Sequence, residues 1–349
     1  MCIRDRHNAI PQNKGLIKMS HKFCIAPMID VTNRHCRFFF RKFSRHARLY
    51  TEMIVADSII YGDKEFLLGF DQIEHPLALQ LAGSDPLVLS QAALIGEGYG
   101  YDEINLNIGC PSKRVQAGNF GACLMADPKL VAECVEKIKE KVSIPVTIKC
   151  RIAIDDYNPD EMLTEFVEVT KNSGVSTFII HARKAMLEGL DPKQNREIPP
   201  LDYDIVRMIK RKWPELNIVL NGGLLNLYEA KKEISKSKGI KLDGVMLGRA
   251  VQENPYSIIE VDKLFFNDNR KLPSRIEIVE EMISYLELCV KNDVPINIVT
   301  QNMLGLFHGC RGAKLWRSYL SHEAPRRRND PNVLKEALDE IISFQSQAA

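Results

Sequence analysis

Three features that this chain of 349 residues lacks restrict its class before any motif is considered. No apolar run is long enough to span a bilayer, which excludes a protein built on transmembrane helices. The nine cysteines never occur with Cys-x-x-Cys spacing, so we expect no disulfide scaffold, no zinc site and no other metal. Neither charge sign is in large excess, because the formal net charge is +2 at pH 7. We therefore expect a globular protein of the reducing cytoplasm.

The first 20 residues are polar and irregular, and they lack the apolar core of a signal peptide. We expect this N-terminal tail to be disordered. The remaining length suits one large domain, or one large and one small domain.

Short apolar runs that alternate with helical patterns are the main signal of the fold. Eight runs predict strands, at Phe23–Pro27, Leu49–Ile54, Leu77–Ala82, Ile104–Ile108, Val146–Cys150, Thr177–His181, Ile218–Asn221 and Gly244–Leu247. Asp85, Asp127 and Asn158 each precede a proline and predict helix starts. This α/β alternation predicts a (β/α)8 TIM barrel at residues 21–266. An open doubly wound sheet is the alternative, which is disfavoured because no Gly-x-Gly-x-x-Gly follows the first strand.

The alternation stops after Phe266. The polar stretch Asn267–Pro273 is typical of a linker, and apolar residues then recur only at helical spacing. We therefore predict a small all-helical C-terminal domain at residues 273–349.

The most informative single residue is Cys110. In the strand before it, apolar residues alternate with Asn105 and Asn107, so one face packs in the core and the other carries amides toward a cavity. A Gly-Cys-Pro sequence ends the strand and places the thiol at the barrel mouth. A thiol with its ordinary pKa of about 8.5 is mostly protonated at neutral pH, which favours a proton donor over a nucleophile. A small buried hydrophobic residue is the alternative interpretation.

Chemistry in such a barrel lies at the C-terminal ends of the strands, where Gln80, Lys149 and His181 stand. Asn221-Gly222-Gly223 follows the seventh strand and Gly248-Arg249 follows the eighth, where many barrels bind a phosphate through backbone N–H groups. Glycine allows close approach to the anion, and arginine adds charge-assisted hydrogen bonds. A phosphate there, with the lysine and the histidine near the centre, suits flavin mononucleotide (FMN). The alternatives are tight turns for the glycines and a salt bridge for the lysine.

Basic residues cluster in two segments, 34–48 and 311–328, although the chain is nearly neutral. The members are Arg34, Arg37, Arg41, Lys42, Arg45 and Arg48, and then Arg311, Lys314, Arg317, Arg326, Arg327 and Arg328. Solvated helix faces are the alternative, but two clusters favour a polyanionic partner.

Several motifs make the chain similar to a known family. They are Ala26-Pro27-Met28, Leu49-Tyr50-Thr51-Glu52-Met53, Gln80-Leu81-Ala82-Gly83, Asn105-Leu106-Asn107-Ile108-Gly109-Cys110-Pro111-Ser112, His181-Ala182-Arg183-Lys184-Ala185, Asn195-Arg196-Glu197-Ile198-Pro199-Pro200-Leu201, Asn221-Gly222-Gly223 and Gly248-Arg249-Ala250. Over residues 22–345 the chain resembles the tRNA-dihydrouridine synthases, whose mark is the Cys-Pro-Ser motif. The stretch 195–201 and Leu315-Trp316-Arg317 resemble the A subfamily, which acts on uridines 20 and 20a.

The resemblance implies a flavin oxidoreductase. NADPH reduces FMN, the reduced flavin gives a hydride to C6 of a uracil in the tRNA D-loop, and a cysteine protonates C5 from the opposite face. Carried over to this chain, the general acid is Cys110. The implied FMN ligands are Pro27, Met28, Ile29, Gln80, Lys149, His181, Asn221, Gly222, Gly223, Gly248 and Arg249.

The resemblance also implies a tRNA-binding surface. Asn107 would help to hold the uracil, and Lys193, Arg196, Lys314 and Arg317 match the tRNA-contact positions of the subfamily. A base in folded RNA must be extruded before a buried cofactor reaches it, and basic side chains then supply phosphate contacts. We expect a monomer that binds tRNA and no membrane.

Two other functions stay open. An FMN barrel enzyme that acts on a small molecule, for example of a dihydroorotate-oxidising type, would not need a basic helical domain. An RNA-binding protein without catalysis would not need the cysteine or the flavin ligands. Binding of bulk tRNA and loading with flavin distinguish these functions.

Overall fold

The computed structural model describes residues 20–235 and 239–347, and its centre is a ring of parallel strands. The strands in these residues are β1 Phe23–Ile25, β2 Leu49–Tyr50, β3 Ile54–Val55, β4 Leu77–Ala82, β5 Glu103–Ile108, β6 Val146–Arg151, β7 Thr177–His181, β8 Asn217–Asn221 and β9 Gly244–Leu247. They pair in the order β1-β9-β8-β7-β6-β5-β4-β2, and β3 also pairs with β4. Backbone N–H groups of Ile25 and Arg48 donate to Arg48 and Phe23 (2.9 and 3.0 Å), which closes the ring. The predicted (β/α)8 barrel is confirmed, whereas the predicted tail lies outside the described residues apart from Ser20.

Helices surround the barrel and continue after it. They are α1 Arg34–Phe40, α2 Ala56–Tyr61, α3 Lys64–Leu68, α4 Pro86–Tyr99, α5 Lys113–Ala117, α6 Pro128–Lys139, α7 Pro159–Asn172, α8 Tyr203–Lys212, α9 Leu227–Ile234, α10 Arg249–Glu253, α11 Val261–Phe266, α12 Arg275–Lys291, α13 Ile296–Thr300, α14 Ala313–Arg326 and α15 Asn332–Ser346. Asp85, Asp127 and Asn158 accept backbone N–H bonds at the starts of α4, α6 and α7, as predicted. None of the helices in this described part combines the length and the apolar character needed to cross a bilayer.

The predicted second strand, Leu49–Ile54, is divided into β2 and β3. Thr51 lies between them, and its backbone N–H still donates to Ala78 O (3.0 Å). Its hydroxyl, however, accepts from Gln80 N (3.0 Å) and donates to Glu52 O (2.7 Å). A side-chain oxygen thus replaces a backbone carbonyl in the ladder, a substitution that hydrophobic periodicity does not reveal.

A buried cluster centred on Glu103 fills the base of the barrel. The carboxylate lies 2.8 Å from His21 Nε2 and 3.2 Å from Arg48 Nη1, and it accepts a hydrogen bond from Thr147 Oγ1 (2.6 Å). Glu103 and Arg48 are both fully buried. Burial alone would raise the pKa of Glu103, but the charges of His21 and Arg48 and these hydrogen bonds lower it to about 2. The carboxylate is therefore ionised at neutral pH.

The helices after residue 274 pack on the outside of the barrel against α1. Tyr285 Oη lies 2.8 Å from His35 Nδ1, and the Tyr285 ring stacks on Phe38 with centroids 3.7 Å apart. An ion pair joins Lys42, two residues after the end of α1, to Glu281 of α12 (2.9 Å). Residues 267–274 contain no helix or strand, and buried side chains from both parts belong to one hydrophobic core. The predicted helical C-terminal region is thus present and joined firmly to the barrel.

Replacing Glu103 by glutamine is expected to lower the free energy of unfolding by about 3–5 kcal/mol at pH 7, because Arg48 then stays buried without a charged partner. Because the folded-state pKa is depressed, the stabilisation is present above the ordinary value of 4.5 and is lost as the pH falls through about 2. Urea titrations should show the full difference from wild type at pH 7 and a smaller one at pH 3.

The matched control is Glu140→Gln, which removes an exposed carboxylate paired with Lys137 and should change little. If Glu103→Gln lowers the free energy of unfolding equally at both pH values, the variant removes packing interactions and not a charge interaction.

Candidate active site

Parallel pairing brings the site residues predicted in the barrel to one mouth. Pro27, Met28 and Ile29 follow β1, Gln80 lies in β4, Asn107 in β5 with Cys110 after it, Lys149 in β6, His181 at the end of β7, Asn221, Gly222 and Gly223 at the end of β8, and Gly248 and Arg249 after β9. Lys193 and Arg196 lie in the long segment between β7 and α8. Lys314 and Arg317 lie apart from these residues, on α14.

A chain of side-chain hydrogen bonds starts at the Glu103 carboxylate and runs through the barrel interior. Thr147 Oγ1 donates to Glu103 (2.6 Å) and accepts from Asn105 Nδ2 (2.8 Å). Asn105 Oδ1 in turn accepts from Gln80 Nε2 (2.7 Å). An ionised carboxylate can only accept, so the threonine must donate to it and each amide above is oriented in turn.

The same chain ends at the turn that carries the thiol. Asn107 Nδ2 donates to Gln80 Oε1 (2.9 Å), and Asn107 Oδ1 accepts from the backbone N–H groups of Gly109 and Cys110 (3.1 and 3.0 Å). Asn107, predicted to hold a uracil, therefore also fixes the turn. The amides of Gln80 and Asn107 each keep one further N–H for a ligand.

The segment 109–127 folds back on itself. It contains α5 and a short 3-10 helix, and Ala122 N–H donates to Cys110 O (2.9 Å). Gly121 has a φ of +77°, and a Cβ at this position would lie 2.6 Å from the Cys110 carbonyl oxygen, so glycine is required. The thiol is half-buried and donates to Ser112 Oγ at 3.5 Å. Cys110 is thus accessible on a turn that the surrounding chain fixes.

Lys149 points into the mouth without an acidic partner. Within the described residues its ammonium group forms no hydrogen bond and no ion pair. Burial, and after it the charge of Arg151, lowers the pKa of Lys149 to about 8. Among the described residues, Lys149 therefore does not form the salt bridge to a core acid that was the alternative interpretation. A half-buried cation without a counter-ion favours the binding of an anionic ligand.

His181 packs against the glycines that follow β8. A Cβ at Gly222 would lie 2.6 Å from His181 Cδ2, and Gly222 and Gly223 have φ values of +110° and +70°, so both positions require glycine. Tyr203 Oη donates to Gly222 O (2.6 Å) and fixes this turn. Burial and the neighbouring cations hold the pKa of His181 well below its ordinary value. The neutral imidazole can therefore donate or accept one hydrogen bond at pH 7.

The segment between β7 and α8 is organised by a fully buried amide, that of Asn195. The Asn195 side chain accepts from Met186 N (2.7 Å) and donates to Met186 O (2.9 Å) and Leu190 O (3.2 Å). Lys193 and Arg196, on either side, are exposed, and their charged groups have no partner in the described part of the chain. The segment thus presents two free cations from a fixed backbone.

Arg249 is tied to this same segment. Its Nη1 lies 2.7 Å from Glu197 Oε1, and its Nη2 donates to Arg196 O (3.2 Å). The predicted phosphate ligand therefore already has an acidic partner, with which an incoming anion has to compete.

The first basic cluster, 34–48, serves the interior. Arg37, Arg41 and Arg48 are buried, and Lys42 forms an ion pair with α12. Their partners, such as Glu74 and Glu103, come from distant strands and turns, which the sequence pattern does not show. Exposed Arg45 and half-buried Arg34 are the members of this cluster that stay available to a polyanion.

The second basic cluster, 311–328, is divided. Arg326 and Arg327 form ion pairs with neighbouring acids. Lys314 and Arg317, one turn apart on α14, are exposed and have no partner within the described ranges. Free positive charge on this face of the helix is available to a ligand.

One group of potential metal ligands exists among the described residues. His46, Asp262 and Asp268 place ligand atoms within 4.8 Å of one another. Asp262 already accepts from Arg45 N (2.8 Å), and Arg270 lies 3.4 Å from it. Because Asp262 already pairs with Arg270 and accepts a backbone hydrogen bond, we assign no metal to this group.

Sequence reasoning missed two residues next to the thiol, Arg151 and Gln116. Arg151 follows Lys149 by two positions on β6, so strand alternation places both side chains inside the barrel, and this signal is present in the sequence. Gln116 contacts only backbone carbonyls, and no pattern of residue types indicates such contacts.

A cysteine, an unpaired lysine and a neutral histidine at one barrel mouth define a (β/α)8 enzyme rather than a structural barrel. The family model for dihydrouridine synthase (Dus) matches residues 24–342. The chain belongs to the dihydrouridine synthase family.

Curated relatives match over nearly their whole length. A protein of Shewanella oneidensis is 47% identical over 334 residues, which are 96% of this chain and 97% of the relative. One of Synechocystis is 48% identical over 314 residues (90% and 92%), and one of Escherichia coli K12 is 47% identical over 332 residues (95% and 94%). Each is named tRNA-dihydrouridine(20/20a) synthase. The resemblance carried by the motifs is confirmed.

Replacing Lys149 by methionine is expected to raise the free energy of unfolding of the cofactor-free protein by about 3 kcal/mol at pH 7, because methionine has no charge to bury. The folded-state pKa is lowered, so the cost of burying this lysine is present below about pH 8 and disappears as the pH approaches 10.5. Urea unfolding should show the gain at pH 7 and little of it at pH 10.

The exposed Lys141→Met serves as the matched control and should leave stability unchanged. A Lys149→Met protein that is less stable than wild type at pH 7 would contradict the unpaired state of this lysine.

Proposed function

We propose that this protein is an FMN-dependent, NADPH-driven tRNA-dihydrouridine(20/20a) synthase, which reduces the C5–C6 bond of uridines 20 and 20a. One observation supports the proposal most: a thiol on a fixed turn shares the barrel mouth with a half-buried lysine that has no acidic partner. The names of relatives that are 47% identical over most of the chain supply the substrate.

The residues at the mouth fit FMN. Lys149 offers an unpaired cation to the electron-rich edge of a flavin ring, and Gln80 and Asn107 each have a free amide N–H. At Gly248 a Cβ would lie in ordinary van der Waals contact with Ala26 Cβ (3.4 Å) and Met28 Sδ (3.5 Å), so Gly248 lies beside the residues that follow β1. The proposed FMN ligands are Pro27, Met28, Ile29, Gln80, Lys149, His181, Asn221, Gly222, Gly223, Gly248 and Arg249. When bound and reduced by NADPH, FMN supplies the hydride for C6 of the uracil.

Cys110 holds the proton that C5 receives. Its backbone N–H is bound by Asn107 and its carbonyl by Ala122, so the thiol cannot move far from the substrate. General acid catalysis needs the proton within hydrogen-bond reach of the reacting atom, which this fixed turn favours. The half-buried sulfur also keeps contact with solvent, from which the thiol regains its proton after each turnover.

Four exposed cations form the proposed tRNA surface. Lys193 and Arg196 lie on the segment after β7, and Lys314 and Arg317 lie on α14, all without internal partners in the described chain. Phosphate contacts of this kind supply affinity and orientation, while the extruded base enters the mouth. We infer that the helices after residue 273 hold the tRNA while the barrel carries out the reduction.

The experiment that tests this function incubates the purified protein with NADPH and an unmodified tRNA transcript and maps dihydrouridine along the RNA. We expect product at position 20, 20a or both. Cys110→Ala should lose at least about 100-fold in rate, the usual contribution of a general acid, and still bind FMN. Cys123→Ala removes a thiol from the same segment and should keep the activity, which makes it the matched control.

Other outcomes assign other functions. Dihydrouridine elsewhere in the RNA would retain the reaction and reject the assigned positions. No product from a flavin-containing protein that oxidises NADPH would favour an enzyme of small molecules. A protein that binds tRNA and cannot be loaded with flavin would favour an RNA-binding function.

Lys314→Ala and Arg317→Ala are each expected to weaken tRNA binding about fivefold at low salt, because each removes one phosphate contact. The slope of log K against log salt concentration should become shallower by about 1 for each change. The effect is therefore largest at low salt, and filter binding at several salt concentrations measures it. Lys335→Ala, an exposed lysine on α15, is the control; equal losses in all three variants would remove α14 from the tRNA surface.

A further inference from the structure

Residues 109–111 form the turn that carries the thiol, and each of their three carbonyl groups accepts a hydrogen bond from the protein. The Gly109 carbonyl accepts from Arg151 Nε (3.2 Å), and the Pro111 carbonyl accepts from Gln116 Nε2 (2.8 Å). The Cys110 carbonyl between them is bonded within its own segment. Two side chains, one from β6 and one from α5, therefore hold the turn from both sides.

The same two side chains also bind the segment after β7. Arg151 Nη1 donates to Lys184 O (3.2 Å) and Asn195 O (3.0 Å), and Gln116 Nε2 donates to Leu187 O (2.8 Å). Each side chain thus bridges the thiol turn and the segment that exposes Lys193 and Arg196.

The bridge made by Arg151 is strong and rigid. Only 3% of the residue is exposed, and its bonds go to carbonyl oxygens rather than to a carboxylate. Burial lowers the pKa of Arg151 to about 10, which leaves the group charged at pH 7. Hydrogen bonds from a charged donor are about twice as strong as neutral ones, and the planar guanidinium fixes the directions of all three.

We propose that Arg151 and Gln116 are positioning residues that lock the Cys110 turn to the segment carrying Lys193 and Arg196. The inference depends on the proposed function, in which Cys110 gives the proton and that segment contacts tRNA. An RNA seated on the two cations then delivers its extruded base at a set distance from the thiol. This fixed distance has a large effect on the reaction rate, because a displacement of about 1 Å at a reacting centre can cost about 100-fold in rate.

Arg151→Lys and Gln116→Met test the lock. In Arg151→Lys the new side chain keeps the positive charge but lacks the planar guanidinium that binds three carbonyl groups. In Gln116→Met the new side chain has a similar volume but no hydrogen-bond donor. With saturating tRNA, we expect single-turnover dihydrouridine formation to fall about 30- to 100-fold in Arg151→Lys and about tenfold in Gln116→Met. In both variants the affinities for FMN and for tRNA should stay within about threefold of the wild-type values. The variants then lose reaction rate and not binding.

A second readout needs no RNA. In the FMN-loaded protein, iodoacetamide should alkylate Cys110 at least about threefold faster in both variants, because the released turn exposes the thiol more often. Mass spectrometry of the Cys110 peptide measures this rate separately from the other cysteines. Arg207→Lys changes another buried arginine, on the outer helix α8, and should leave the Cys110 alkylation rate and product formation unchanged.

The outcomes separate this inference from the proposed function. If the wild type makes no dihydrouridine but alkylation accelerates in both variants, the lock is supported and the function fails. If the wild type is active and both variants keep its rates in both assays, the lock is overturned. Loss of FMN binding in Arg151→Lys would assign Arg151 to the cofactor site and also overturn it. Should that variant not fold, Gln116→Met carries the same test.

Discussion

The ionised carboxylate of Glu103, buried at the base of the barrel, is the constraint on which the interior depends. His21 and Arg48 keep it charged, and a charged carboxylate only accepts hydrogen bonds. This requirement fixes the direction of each hydrogen bond above it, through Thr147 and the amides of β4 and β5, up to the N–H of Cys110. The orientation of the groups at the mouth is therefore decided at the opposite end of the barrel, and the ion pair contributes order as well as stability.

The two ends of the barrel differ in how their charges are balanced. At the base, the Glu103 carboxylate is balanced by the charge of Arg48 and contacts His21 inside the protein. At the mouth, Lys149 and Arg151 have no carboxylate partner among the described residues, and burial together with the neighbouring cations lowers the pKa of His181. This excess of positive charge lowers the stability of the folded protein, and an anionic ligand that binds at the mouth would compensate the charge. A mouth of this kind gains binding energy for an anionic cofactor from the same desolvation that weakens the folded state.

Hydrophobic periodicity and capping residues were enough to predict the barrel, because both signals are local. Cap residues that are followed by proline, such as Asp85 and Asp127, define the helix starts through local sequence alone. The division of the second strand at Thr51 was not predictable, since it depends on one hydroxyl replacing a carbonyl. The cations of residues 34–48 were counted toward a polyanionic partner, because the acidic partners of Arg37 and Arg48 are distant in sequence. Strand alternation could have found Arg151 beside Lys149, whereas Gln116 acts only through backbone atoms and leaves no pattern.

The segment after β7 is where the separate parts of the proposed site meet. Glu197 binds Arg249 of the proposed phosphate site, Asn195 O binds Arg151 beside the thiol, and Arg196 faces the solvent between them. Because the buried Asn195 amide makes this backbone rigid, a shift at one contact is carried to the others instead of being absorbed. Residues 195–201 are also the stretch that resembles the A subfamily. Under the proposed function, changes in this segment move the uridine relative to the thiol and the cofactor, so we expect them to lower the rate of the reaction.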